Sequence, residues 1–264
     1  MNSRTRLHLA IATSLGVAAL LPGVTHAHRG WMLPSATVVS GDNAWVTIDA
    51  AISNDLFYFE HNAMPLDNLQ VLAPDGRPIE AQNKATGRYR STFDVKLDAP
   101  GTYRISMVND NANASFKVGN ETKRLRGTIE SLRKEIPAGA TEVSVRHNQN
   151  RIDVFVTSGK PTDTALKPTG SGLELVPYTH PNDLVAGEEA SFGLVIDGKP
   201  AAGVPVTLIP GGIRYRDQLG EIKVVTGSDG RFKVTWPKPG MYWLNASYPP
   251  RAESEEEEGA QGGG

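Results

Sequence analysis

The 264-residue chain has no cysteine, which excludes disulfide scaffolds, zinc-thiolate sites, iron–sulfur clusters and cysteine nucleophiles. It also lacks an excess of either charge. Lys plus Arg number 27 against 29 for Asp plus Glu, a formal net charge of −2, and the basic residues are scattered, so there is no electrostatic footprint for nucleic acid. Aromatic residues make up only 7%. There is no Gly-x-Ser-x-Gly elbow, no His-Glu-x-x-His helix and no phosphate loop. What is abundant is punctuation. With 27 glycines and 18 prolines, about one residue in six is a turn former, which favours short strands over long helices.

The single long apolar run lies at the start. Arg4 and Arg6 precede the uncharged stretch 9–21, Pro22-Gly23 breaks it, and Thr25-His26-Ala27 ends in a small residue suited to signal peptidase. The expectation is a cleaved secretory signal over residues 1–27 and a periplasmic mature protein. Thirteen residues of helix span only ~20 Å, short of the ~30 Å hydrocarbon core, so no permanent membrane anchor is expected. Losing Arg4 and Arg6 and no acid would move the net charge from −2 to −4.

Cleavage after Ala27 makes His28 the amino-terminal residue. A free α-amine and an imidazole Nδ1 on one residue can chelate one ion, and imidazole suits copper, nickel and zinc. The α-amine titrates near ~8, so it gives up its proton readily to a cation.

The body of the chain has period two. Val46, Ile48, Ala50 and Ile52 alternate with Thr47, Asp49 and Ala51; residues 68–73 read as a short strand closed by Pro74-Asp75-Gly76; Phe93-Val95-Leu97 and Tyr103-Ile105-Met107 follow the same rhythm. The charged segment 119–140 interrupts it. There Thr128 is placed to cap a short helix carrying Ile129, Leu132 and Ile136, ended by Pro137 and Gly139. Strands resume at 143–145 and 152–156, read as a hairpin around His147-Asn148-Gln149-Asn150. Residues rich in Gly, Pro, Thr and Ser then make a linker at 161–171. A second set, Phe192-Leu194-Ile196, Val204-Val206-Leu208, Phe232-Val234-Trp236 and Tyr242-Leu244-Ala246, is divided by Asp-Gly and Pro-Gly turns.

The expected fold is all-β: two immunoglobulin-like antiparallel β-sandwich domains, 28–160 and 172–250, with a short helical insertion in the first. Both share a Pro-Gly turn delivering a tyrosine, Ala99-Pro100-Gly101-Thr102-Tyr103 and Lys238-Pro239-Gly240-Met241-Tyr242. The tail 251–264, acidic and then glycine-rich, reads as a disordered end.

Four phrases, His28-Arg-Gly-Trp-Met-Leu-Pro-Ser35, Trp45-Val-Thr-Ile-Asp-Ala-Ala51, Ser53-Asn-Asp-Leu-Phe-Tyr-Phe-Glu-His61 and Gly172-Leu-Glu-Leu-Val-Pro-Tyr-Thr-His-Pro-Asn-Asp-Leu184, resemble the DUF4198 family through nearly all of the mature chain. The resemblance implies an exported bacterial protein of the kind labelled NikM-like, a periplasmic component of cobalt or nickel uptake working with an inner-membrane metal importer. Members often carry a histidine-rich stretch; this chain ends in glutamates, which speaks against high-capacity storage.

Among the histidines, His28 and His61 are the expected metal ligands, with Glu60 and Asp55 completing a three- or four-ligand site for Ni(II), Co(II) or Cu(II). A surface role for His61, covering apolar neighbours, is the competing reading. His180, held in extended backbone by Pro181, is expected to serve an interdomain hydrogen bond, and His147 to be solvent-exposed. No pair of carboxylates among Asp42, Asp49, Asp55, Glu60 and Asp110 is selected by spacing, so no enzyme activity is expected. Trp31, Trp45, Trp236 and Trp243 are expected in cores or at the domain interface rather than on sugar rings. The functional expectation is an exported transition-metal-binding protein for uptake or buffering; the alternative is a metal-free extracytoplasmic interaction module binding protein or carbohydrate.

Overall fold

The computed structural model describes residues 28–249; the expected signal (1–27) and the tail (251–264) lie outside them. In chain order the first half contains β1 (Arg29–Pro34), β2 (Val38–Val39), β3 (Ala44–Ser53), β4 (Asn62–Ala63), β5 (Leu69–Leu72), β6 (Pro78–Ile79), β7 (Gln82–Thr86), β8 (Ser91–Leu97), β9 (Gly101–Val118), β10 (Glu121–Gly127), helix α1 (Ile129–Glu135) and β11 (Thr141–Ser158). One sheet runs β1-β3-β8-β7 with β4 also on β3; the other runs β2-β11-β9-β5-β6 with β10 on β9. Between them lie Met32, Val46, Ile48, Phe93, Val95, Tyr103, Ile105 and Met107, the residues that alternate inward along the strands.

The second half holds β12 (Leu173–Pro177), β13 (Glu189–Ile196), β14 (Lys199–Pro200), β15 (Pro205–Pro210), β16 (Ile222–Val225), β17 (Arg231–Thr235) and β18 (Tyr242–Ala246). They form the sheets β12-β13-β14, with β17 on β13, and β16-β15-β18. Phe192, Leu194, Val206, Leu208, Phe232 and Trp236 fill the space between. The described residues are thus all-β, two sandwiches that are antiparallel apart from the short parallel β2–β11 pair, with one short α-helix. Trp45 departs from expectation: on β3 opposite Lys96 it points outward and is 43% exposed.

Two local devices act as the sequence predicts. Thr128 caps α1, its hydroxyl accepting from the Ser131 N–H at 3.1 Å while Ser131 Oγ accepts from the Thr128 N–H at 3.0 Å, a reciprocal box. Each Pro-Gly turn delivers its tyrosine back onto the chain four residues earlier. Tyr103 donates to the Ala99 carbonyl at 2.9 Å and accepts its N–H at 2.8 Å; Tyr242 does the same with Lys238 at 2.9 and 3.3 Å.

The hairpin expected around residues 147–150 is not there. β9 and β11 pair continuously from Gly101↔Ser158 to Ser115↔Ser144, so His147 stands mid-strand opposite Ala112 and extends an arm past the sandwich. The reason is α1, whose Leu132 covers Ala112, Ala114 and Phe116 on one face of that arm and gives the strands a local core. His147 is exposed, as expected, and its Nε2 bonds the Asp110 carboxylate.

The hydrogen bonds to Asp110 from Gln149 first, and from His147, hold its carboxyl below the usual range, and those from Asn83 and Thr47 do the same for Asp94. A folded-state value below the unfolded one means fewer protons bound in the native state. These two carboxylates therefore add stability above about pH 4 that is lost as pH falls through their native values. Asp110→Asn with Asp94→Asn should flatten the acid limb of a stability-versus-pH curve measured by urea unfolding; an unchanged limb contradicts this.

Candidate functional site

The segment 161–171 is no loose tether. Ala165 and Leu166 are buried against β9, and residues 167–174 converge on a charged quartet from both sandwiches. Arg151 bonds Asp153 through Nε at 2.9 and 3.1 Å and reaches Glu174 at 3.4 Å; Ser106 donates to Asp153; Arg104 donates from Nη1 to the Lys167 carbonyl at 3.0 Å. Glu174 accepts from the Thr169 N–H and hydroxyl, both at 2.8 Å, and from the Gly170 N–H at 2.7 Å. Burial lowers the proton affinity of the Arg104 guanidinium, an effect that the charge of Asp153 opposes.

His180 makes the interdomain bond expected of it. Its Nδ1 accepts from the Asn182 N–H at 3.1 Å, so the proton sits on Nε2, which donates to Thr102 Oγ1 at 2.9 Å. Thr102 Oγ1 also accepts from the Thr162 N–H at 3.0 Å, so its own proton goes to Thr157 Oγ1, and Thr157 donates to Asn182 Oδ1 at 2.8 Å. Both ring nitrogens of His180 are therefore spent on structure.

A third junction joins the sandwiches at the other end of β1. Trp31, Ala51 and Leu56 from the first half pack with Ile209 and Ile213 from the second, with Phe57 and Trp243 at the margin. Trp31 donates from Nε1 to Ser53 Oγ at 2.7 Å, and Ser53 donates onward to the Asp55 carbonyl at 2.6 Å.

Here the two expected ligands meet. β1 and β4 flank β3 on opposite sides, with Arg29↔Ser53 on one and Asn62↔Ile52 on the other. His28 precedes β1 and His61 precedes β4, so their backbones stand about two strand spacings, ~10 Å, apart. At the end of β3 the two imidazoles reach across to stack with ring centroids 3.6 Å apart and planes 21° from parallel. His28 is exposed and His61 half-buried.

Glu60 and Asp55 do not join them. Arg214, from the turn Ile213–Tyr215 in the second sandwich, donates through Nε to Asp55 at 2.7 Å and through Nη2 to Glu60, while Glu60 Oε1 accepts the Asp55 N–H at 2.6 Å. The pair, Asp55 foremost, raises the proton affinity of the Arg214 guanidinium above its ordinary value. The same guanidinium lies 4.1 Å over the Tyr58 ring. Both carboxylates are thus engaged in holding the loop 53–61. Among the described residues, no three His, Cys, Asp or Glu side chains converge where they could hold an ion.

Asp49, mid-strand, pairs with Arg90 at 3.4 Å. Sequence reasoning missed Arg214 and Glu174. Glu174 lay inside a quoted phrase, a charged residue between leucines on a strand, which is the one signal that marks it as buried and paired.

The architecture is all-β, with two sandwiches packed through the junction of Trp31, Leu56, Ile209 and Ile213. The chain belongs to the DUF4198 family, a domain of unknown function, whose profile matches residues 25–249. No curated protein matches it. No helix among the described residues is long and apolar enough to cross a membrane.

Proposed function

We propose that this is an exported protein that binds one divalent transition-metal ion, Ni(II), Co(II) or Cu(II), as cargo, buffering it in the periplasm or presenting it to an inner-membrane importer. The observation that carries this reading is the contact of His28 with His61, two imidazoles 33 positions apart brought within 3.6 Å at an accessible rim. With Asp55 and Glu60 taken by Arg214, the two rings need a further donor that is not a carboxylate. Processing after Ala27 supplies it in the α-amine of His28, giving an all-nitrogen set that borderline and softer cations prefer. Binding requires the stacked rings to turn until one nitrogen of each faces the ion.

The stack does not by itself demand a metal, and one observation favours the alternative of a metal-free docking module: Tyr215, beside Arg214, is 85% exposed, and Tyr and Arg are typical anchors of protein interfaces. Titration separates the two. Intact-mass analysis of the exported protein is expected to show His28 as the first residue, and Cu(II), Ni(II) and Co(II) titrations one tight equivalent. His28→Ala and His61→Ala should each weaken it by at least about 100-fold, beyond the ~10–100-fold cost of disturbing an outer-shell partner. A retained Ala27 should have a comparable effect by removing the amine. Affinity surviving both histidine changes, or processing at another bond, overturns the proposal.

A further inference from the structure

Both histidine-bearing segments are tied to the second sandwich, by three separate contacts. Next to His28, the Gly30 carbonyl accepts from Trp243 Nε1 at 3.0 Å. Next to His61, Glu60 is clamped with Asp55 by Arg214, a residue 154 positions away. Between them, Phe57 holds a left-handed backbone at φ 66°, a conformation that a bulky aromatic residue adopts only when its surroundings impose it. Its ring lies against Gly211, where an added Cβ would sit 3.1 Å from Phe57 Cδ2, so the ring fits the space that the missing side chain leaves.

Removing these contacts has a foreseeable result. Without Arg214 the Asp55 and Glu60 carboxylates are left side by side with like charge, and the Glu60 side chain that caps the Asp55 N–H is no longer fixed. With a Cβ at Gly211, the Phe57 ring is pushed back by a few tenths of an ångström, and the loop that carries it shifts with it. Either change moves the backbone that aims His61, while His28 stays at the entry to β1.

We infer that the second sandwich sets the geometry of the His28–His61 pair through Arg214, Gly211 and Trp243, so that filling the pair and closing the seam between the sandwiches are thermodynamically linked. In its metal arm this rests on the proposed function; in its geometric arm it does not. Arg214, Gly211 and Trp243 are positioning residues. Linkage runs in both directions: the closed seam tightens binding, and a bound ion tightens the seam.

Two measurements test it. In the metal-free protein, the imidazole C–H resonances of His28 and His61 should show mutual ring-current shifts that His147 lacks; in Arg214→Met, and independently in Gly211→Ala, they should move toward the His147 positions while far-UV dichroism stays unchanged. With Cu(II) added, Arg214→Met should bind about 10–100-fold more weakly at unchanged stoichiometry. Arg214→Lys should recover only part, since an ammonium cannot bridge two carboxylates with a planar fork. In the wild type, Cu(II) should slow hydrogen exchange of the Trp243 indole N–H, which donates to the Gly30 carbonyl across the seam. If the shifts persist in both variants, or Arg214→Met binds as tightly as wild type, the inference falls. If the wild type shows the shifts and the variants lose them but no ion binds, the metal reading falls and the positioning role stands.

Discussion

Trp31→Ala is expected to cost about 3–5 kcal/mol, the range for truncating a fully buried aromatic residue where the surroundings cannot collapse. Only 1% of Trp31 is exposed. Its ring meets Phe57 edge-on at 5.6 Å and Phe59 at 5.6 Å, and the cluster around it joins Ala51 and Leu56 of its own sandwich to Ile209 and Ile213 of the other. A void there opens on two bodies, each already held by its own sheets, so neither can close it without breaking pairing. The indole N–H adds a second cost, because Ser53 Oγ loses its donor. Trp31→Phe separates the two: it keeps most of the volume and gives up the hydrogen bond, for about 1–2 kcal/mol. Urea unfolding followed by far-UV dichroism measures both. A loss below about 1 kcal/mol for the alanine variant would mean that the seam is not packed as described. The His28–His61 ring-current shifts should vanish with it, since Ser53 links Trp31 to the Asp55 carbonyl.

Glu174→Ala is expected to be as damaging, about 3–5 kcal/mol, by a different route: breaking a buried ion pair leaves charge without compensation. The Glu174 side chain is 2% exposed. Arg104, Arg151, Asp153 and Glu174 balance two positive charges against two negative ones; deleting Glu174 leaves the set at +1, with Arg104 already short of a partner at Nε. It also strands the Thr169 and Gly170 N–H donors. Glu174→Gln should recover little, because its NH₂ group must face one of those donors. Hydrogen exchange of the Thr169 and Gly170 amides should quicken in both variants, as the segment loses its anchor; protection equal to wild type would refute the pinning role.

How far the sequence discloses this molecule depends on how local each signal is. The alternation of Val46, Ile48 and Ala50, the Thr128 cap and the two Pro-Gly-x-Tyr turns are each decided within a few residues, and all are found in the structure. The long strands β9 and β11 were harder to see. Asn109, Asn111, Asn113, Asn148 and Asn150 look like loop chemistry, yet they stay extended because each strand supplies the other's ladder and α1 covers Ala112, Ala114 and Phe116. Within the site, the approach of His28 to His61 could be anticipated from two strands sharing a neighbour. The diversion of Asp55 and Glu60 to Arg214 could not, since Arg214 lies on an exposed turn with no periodic pattern, 159 residues from Asp55.

The arm has an unshielded margin. Among the described residues β10 pairs only with β9, so its outer backbone groups are a template on which another chain could add a strand. Along it stand Glu121, Lys123, Arg124 and Arg126, all exposed. Burying these side chains against a stranger would strip water from several charges at once, which makes the margin a poor seed for aggregation. Changing Lys123, Arg124 and Arg126 to threonine would leave the fold its ladder and remove that guard, turning the edge into an adhesive one.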